Sequence, residues 1–203
     1  MWEGTVRISV INHTSRKISD AEVQHALRAV NRQISEDFAP YWGLDAQLRL
    51  EGRSGRQPDT QRVRDMRGDA VLYLWDEEDM DGAVGYHFSN YAGVPFGFVF
   101  TDICREWGST WTAALSHEVL ELLGDPLCNS LVRGPHPNDR RKRVFYWREM
   151  CDPVQTQTYF IDGVEVSNFV LPHYFTEDEE KGTRNDFLGD DKLRSFGVTD
   201  GGY

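Results

Sequence analysis

The apolar positions along the chain fall into two periods. Residues 5–11 place Val6, Ile8 and Val10 on one side of an extended segment, and residues 46–50 alternate again, so both read as strands. Between them Val23, Leu27, Val30 and Ile34 recur at near-helical spacing behind Ser19 and Asp20, which can cap a helix. That helix is expected to stop before Pro40. A Gly/Arg/Pro-rich loop is expected over residues 52–59. The continuous apolar run from Ala70 to Trp75 predicts a strand buried on both faces. Residues 94–101 predict a further strand, and Pro95 suggests that it lies at a sheet edge. Ser109 or Thr110 can cap a second helix that runs to Gly124, beyond which Asp125-Pro126 prevents continuation. After residue 126 the pattern loosens: 127–143 is loop-like, 144–147 and 158–161 are short strands, and Asp162-Gly163 is a turn signal.

Composition narrows the class. A chain of 203 residues is one domain at roughly 150 residues per domain, with 1–126 as its main lobe and 127–203 as a smaller irregular part. Lys plus Arg is 22 against 33 Asp plus Glu, a net charge of −11 that argues against nucleic acid as a partner. No apolar run approaches the roughly 20 residues of a membrane span. The start of the sequence has neither a basic stretch nor an apolar h-region, which points to the cytoplasm. Three widely spaced cysteines form no disulfide framework and show no zinc spacing.

The chemistry concentrates in Ser116-His117-Glu118-Val119-Leu120-Glu121-Leu122-Leu123-Gly124. On a helix His117 and Glu121 stand one turn apart, about 40° from each other, and can clamp one metal ion. Glu118 falls beside that pair, where a general base for an activated water would stand. Val119, Leu115, Leu122 and Leu123 occupy the opposite, core-facing side.

This segment resembles the HExxH helix of zincin metallopeptidases, with Glu121 in place of the second His. A helix closing at Gly124, as in metzincins, and the order of strands and helices before it extend the likeness over residues 4–126. The resemblance implies an α+β fold: a zincin-like mixed, twisted sheet with two main helices, closed by the irregular C-terminal part. It implies His117 and Glu121 as metal ligands and Glu118 as the catalytic base of a zinc-dependent peptidase. A metzincin would place its third ligand at Leu127, which cannot bind metal, so the replacement is sought among Asp125, His136, Glu149 and Asp152. The Glu149-x-x-Asp152-Pro153 turn is the preferred source, with Met150 beneath the ion as in a methionine turn.

Four segments together resemble a group of uncharacterised proteins: Gly85-Tyr86-His87, the HExxE helix with Asp125-Pro126, residues 149–154 and residues 166–172. The ion is expected to be Zn²⁺, with Ca²⁺ or Mn²⁺ as alternatives because the donors are mostly carboxylates. A peptide substrate is expected along the edge strand 94–100 by strand addition. Tyr146, Tyr159 or Tyr174 is a candidate oxyanion donor. The other reading is a zincin-derived binding or structural module without turnover, since the charge of Glu121 weakens a Lewis acid. The acidic stretch 76–82 reads as a solvated turn, and 140–143 as a basic run that neutralises nearby acids. Residues 186–198 are expected to dock on the body, with 177–181 as a solvated bridge.

Overall fold

A computed structural model describes residues 2, 4–15, 17–52, 66–77, 82–177, 183–189 and 193–203. Most of the loop expected over 52–59, part of the acidic stretch 76–82 and nearly all of the bridge 177–181 lie outside these residues. The fold is α+β. A five-stranded mixed sheet is built from β1 (Val6–Asn12), β2 (Ala46–Glu51), β3 (Ala70–Trp75), β4 (Gly85–Ser89) and β5 (Pro95–Phe100), in the order β2-β1-β3-β5-β4. The first four in that order are parallel, and β4 joins β5 antiparallel.

Burial on both faces explains why β3 is a continuous apolar run. Ala70, Leu72 and Leu74 face the main core with the helices, while Val71 and Tyr73 join Ile11, Phe96, Phe98 and Phe100 on the other face. There the rings of Tyr73 and Phe98 stack at 5.1 Å.

α1 (Asp20–Arg32) begins with a capping box. Ser19 Oγ accepts from Glu22 N at 3.2 Å, and Glu22 Oε2 accepts from Ser19 N at 2.8 Å. The chain does not stop before Pro40 as expected. It widens into a π-helical stretch, Gln33–Phe38, and then forms α2 (Ala39–Trp42) before ending at Gly43, whose φ is 65°. Pro40 sits in the first turn of α2, directly after the π-helical stretch, and the helix runs through it to Gly43.

α3 (Thr101–Glu106) leads to α4 (Trp111–Gly124), where Thr110 Oγ1 accepts from Ala113 N at 3.3 Å. α4 packs under β4 and β5 on one side and against the C-terminal part on the other. That part contains two hairpins: β6 (Leu131–His136) with β7 (Asp139–Trp147), and β8 (Thr158–Ile161) with β9 (Val164–Ser167). The first hairpin replaces the loop expected over 127–143. The second turns at Asp162 and Gly163, with φ of 50° and 79°.

Two further expectations are corrected. β5 is internal, paired to β3 and β4, so residues 94–100 offer no free edge to a peptide. Pro95 is the first residue of its strand, a place where a missing N–H is tolerated inside a sheet. The acidic stretch does not open as a solvated turn at Asp76. That carboxylate is buried and accepts from the backbone and hydroxyl of Ser15 and from Thr101 Oγ1.

Residues 183–189 and 193–203 lie on the body. Leu171 N donates to Asn185 O, Phe187 N donates to Phe169 O, and the rings of Phe169 and Phe187 stack at 5.0 Å. Phe196 covers Tyr146 at 5.0 Å. Among the described residues no helix is long and apolar enough to cross a membrane.

Candidate metal centre

Three chain segments meet where α4 passes under the sheet. α4 supplies His117, Glu118 and Glu121, and both glutamates are buried despite their charge. β4 supplies His87 from above. Alternation along β4 puts Gly85 and His87 on the helix side, and a Cβ at Gly85 would stand 2.9 Å from Glu118 Oε1. Lacking that atom, the strand settles close enough to α4 for His87 to reach the glutamates. The third segment is the turn from Glu149 into a short 3₁₀ helix, Asp152–Val154.

Two features fix this turn to α4. Glu121 Oε1 accepts from the backbone N–H groups of Cys151 and Asp152, at 2.9 and 3.2 Å. Met150 is fully buried and fills the space left by Gly124, where a Cβ would stand 1.4 Å from Met150 Cε. The centre is backed by a polar network. Ser116 Oγ accepts from Ser167 N and donates to Gln33 Oε1, both at 2.9 Å, and Gln33 Nε2 donates to Ser167 O at 2.8 Å.

Within the centre, His117 Nε2 lies 3.1 Å from Glu121 Oε2 and 3.2 Å from Asp152 Oδ1. Ligand atoms about 2.0–2.1 Å from a tetrahedral ion stand roughly 3.3 Å apart, so these spacings fit a zinc-sized ion. Cys151 adds a soft donor. His117, Glu121 and Cys151 each place one ligand atom within 4.8 Å of the others, as do His87, Glu121 and Glu149. His87 Nδ1 faces Glu118 Oε2 at 3.5 Å and Glu121 Oε2 at 3.9 Å, and its Nε2 faces Glu149 Oε2 at 3.9 Å.

Crowded carboxylates in a buried place displace the proton affinities. Burial pulls both imidazoles down, but the acids around them prevail. His87 is held well above 6.5 by the Cys128 thiol, Glu118 and Glu121, and His117 by Glu121, Asp152 and Glu118. Burial raises Glu118, and burial with the charge of Glu121 raises Asp152 and lifts Glu149 to about 8. Glu121 is shifted the other way. Burial opposes the shift, but His117, His87 and the Cys151 N–H keep it ionised. Cys151 is pushed well above 9.0 by burial and by Glu121, so its thiol is neutral without an ion.

Of the residues singled out from sequence, His117, Glu118, Glu121, Glu149 and Asp152 come together. Asp125 lies beside them but closes its own loop: its Oδ2 accepts from Ser130 N at 2.6 Å and its carbonyl accepts from Cys128 N. His136 ends β6, where Nδ1 accepts from Asn138 N, outside both donor groups. Met150 is core packing against Gly124. Tyr146 and Tyr174 donate to the carbonyls of Pro135 and Gly197, and Tyr159 donates to Asp37 behind the centre.

Sequence reasoning did not count two members of the cluster among the candidate ligands: His87, the one to watch among the scattered histidines, and Cys151. The signal for His87 was its place two residues after Gly85. For Cys151 it was its position inside the carboxylate turn.

Above the centre opens a cavity of about 500 Å³, with Glu149, Asp152 and His87 in its wall. The remaining wall is largely aromatic: Phe88 from β4, Phe145, Tyr146 and Trp147 from β7, and Tyr174 and Phe196 from the C-terminal part.

No family model and no curated protein matches the chain. Among solved structures, one described as "Structure of a chaperone-substrate complex" is similar over 66% of this chain, at 16% identity and a TM-score of 0.38. This chain spans 29% of that one, and a likeness so low carries no argument about fold or function.

Proposed function

We propose that the protein is a metal-dependent hydrolase, with the ion held by His117, Glu121 and Asp152 and with Glu118 as general base. The observation that carries this reading is the convergence of two carboxylate oxygens on His117 Nε2, at 3.1 and 3.2 Å, below an open cavity. A divalent ion in that position supplies a Lewis acid and lowers the pKa of a water near it. Glu118 is the proton acceptor. Burial raises its carboxyl above the ordinary carboxylate value, which is the direction a general base needs. Glu121 is held ionised and oriented by two backbone N–H groups, so it binds without rearranging.

The aromatic wall suits a substrate with an apolar group beside the scissile bond, and a peptide or acyl amide is the class that combines the two. The lobe that carries the centre is proposed to be zincin-like. Supporting it are the parallel sheet with its antiparallel edge strand β4, and the HExxE helix beneath that strand.

The test combines metal analysis with cleavage of a mixed peptide library. Wild type should hold zinc and cut next to apolar residues. Glu118→Gln should keep the metal and lose cleavage. Asp152→Asn should lose metal, and Cys151→Ser should keep it; the reverse pattern would transfer the third ligand to the thiol. A wild type that holds the ion and cleaves nothing would make the protein a binding module.

A further inference from the structure

We propose that His87, Glu149 and Glu121 form a second divalent-cation site, so that the centre holds two ions with Glu121 common to both. The inference rests on the preceding reading only through that shared residue.

The observation behind it is a pair of orphaned atoms. His87 is more than nine-tenths buried, and its Nε2 has no hydrogen-bond partner. Glu149 Oε2, 3.9 Å away, is buried and has none either. Buried polar atoms left unsatisfied are costly and uncommon, and two that face each other call for something between them. The orientation of His87 fits that purpose. Its Nδ1 faces Glu118 Oε2 at 3.5 Å, which holds a proton there, so an ion would take the place of the proton on Nε2. A carboxylate behind an imidazole is the usual support of a metal-binding histidine.

The two imidazoles use different outer carboxylates, Asp152 for His117 and Glu149 for His87, and meet only at Glu121. Each imidazole thus has its own group of close ligand atoms, His117 with Glu121 and Cys151, and His87 with Glu121 and Glu149. Charge points the same way: Glu118, Glu121, Glu149 and Asp152 gather around two imidazoles, and among the described residues no lysine or arginine is ion-paired with them, so the cluster is one that attracts cations. One imidazole and two carboxylates suit Mn²⁺, Fe²⁺ or Zn²⁺.

The experiment counts ions and does not measure activity. Protein stripped with EDTA is equilibrated with Zn²⁺, passed through a desalting column and measured by mass spectrometry for metal per chain. Wild type should carry two zinc ions, and His87→Gln and Glu149→Gln one each. Loaded with Mn²⁺ instead, wild type should give the broadened electron paramagnetic resonance of a coupled pair, and either variant the six-line spectrum of an isolated ion. The variants lie on separate elements, so a folding failure in one leaves the other, and the wild-type count and spectrum decide without either.

One ion in wild type that survives His87→Gln would overturn the second site and leave the first. One ion that is lost in both His87→Gln and His117→Gln would mean a single ion shared by all the donors, which also overturns the proposal. No ion at all would overturn this inference and the preceding reading together.

Discussion

Replacing Gly124 by alanine should destabilise the protein and weaken ion binding, although residue 124 offers no ligand. The backbone there has ordinary negative φ, so alanine brings no strain of its own, and in a helix it is preferred over glycine by about 0.8–1 kcal/mol. On propensity alone the variant would be more stable. Space decides otherwise. The added Cβ would stand 1.4 Å from Met150 Cε and 2.5 Å from its Sδ, and Met150 is fully buried. Forcing extra volume into a packed core costs about 1–3 kcal/mol, so a net loss of up to about 2 kcal/mol remains. At about 2–4 °C per kcal/mol for a chain of this size, the thermal midpoint should fall by up to about 8 °C. Met150 precedes the two N–H groups that hold Glu121, so its displacement should loosen the turn and lower zinc affinity measured by titration calorimetry.

The control is Met150→Ala. Alone it leaves a cavity and costs about 2–5 kcal/mol. Combined with Gly124→Ala it should cost less than the sum by at least about 1 kcal/mol, because the new methyl group occupies vacated space. A higher midpoint in Gly124→Ala with unchanged zinc affinity would refute the packing argument.

Other outcomes follow from the same geometry. Ser116→Ala removes the acceptor for Ser167 N and the donor to Gln33 in a fully buried network, so urea denaturation should show a loss of about 1–3 kcal/mol; a loss below about 0.5 kcal/mol would mean that the network re-pairs. Stripped of metal, the protein should become less stable as pH rises from 6 to 8.5. The folded chain holds protons on His87 and His117 above their ordinary 6.5 and on Glu149 up to about 8, so the folded state binds more protons than the unfolded one in that window, and the stabilisation is lost as those protons leave. Zinc must displace the same protons, so affinity should rise over this range and binding should release protons in calorimetry; a pH-independent affinity would contradict the site. Phe187→Ala, which removes the ring stacked on Phe169, should lower the midpoint by about 4–12 °C if about 2–3 kcal/mol is lost, and should speed amide exchange at Leu171 and Phe187.

What could be read from sequence divides along physical lines. α4, its Thr110 cap and the doubly buried β3 were legible because each rests on a local signal, a cap or an unbroken apolar run. β4 was not. Its helix-facing positions are Gly85 and His87, one empty to admit Glu118 and one turned to the centre, so the alternation that marks a strand is absent where the strand does its chemistry. Pro95 misled because a strand's first residue and an edge strand excuse proline equally well. Gly124 reads as a helix terminator, yet its role is to make room for Met150, and no local pattern distinguishes the two. The pairing of His117 with Glu121 was visible on one helix. That Glu149 faces His87 rather than His117 depends on how the turn seats on α4, which only the assembled chain decides.

The hydrogen bonds from Cys151 and Asp152 to Glu121 also set an order of events during synthesis. Their partners are 30 and 31 residues apart in the chain, and the turn is held in turn by Val170 N donating to Met150 O. A ribosome-bound chain that has emerged only through α4 carries His87, His117 and the two glutamates but lacks Glu149, Cys151 and Asp152. The cluster is complete only after residue 170 has joined the body, so if the proposed ion is bound, its loading belongs to the finished protein and not to the growing one.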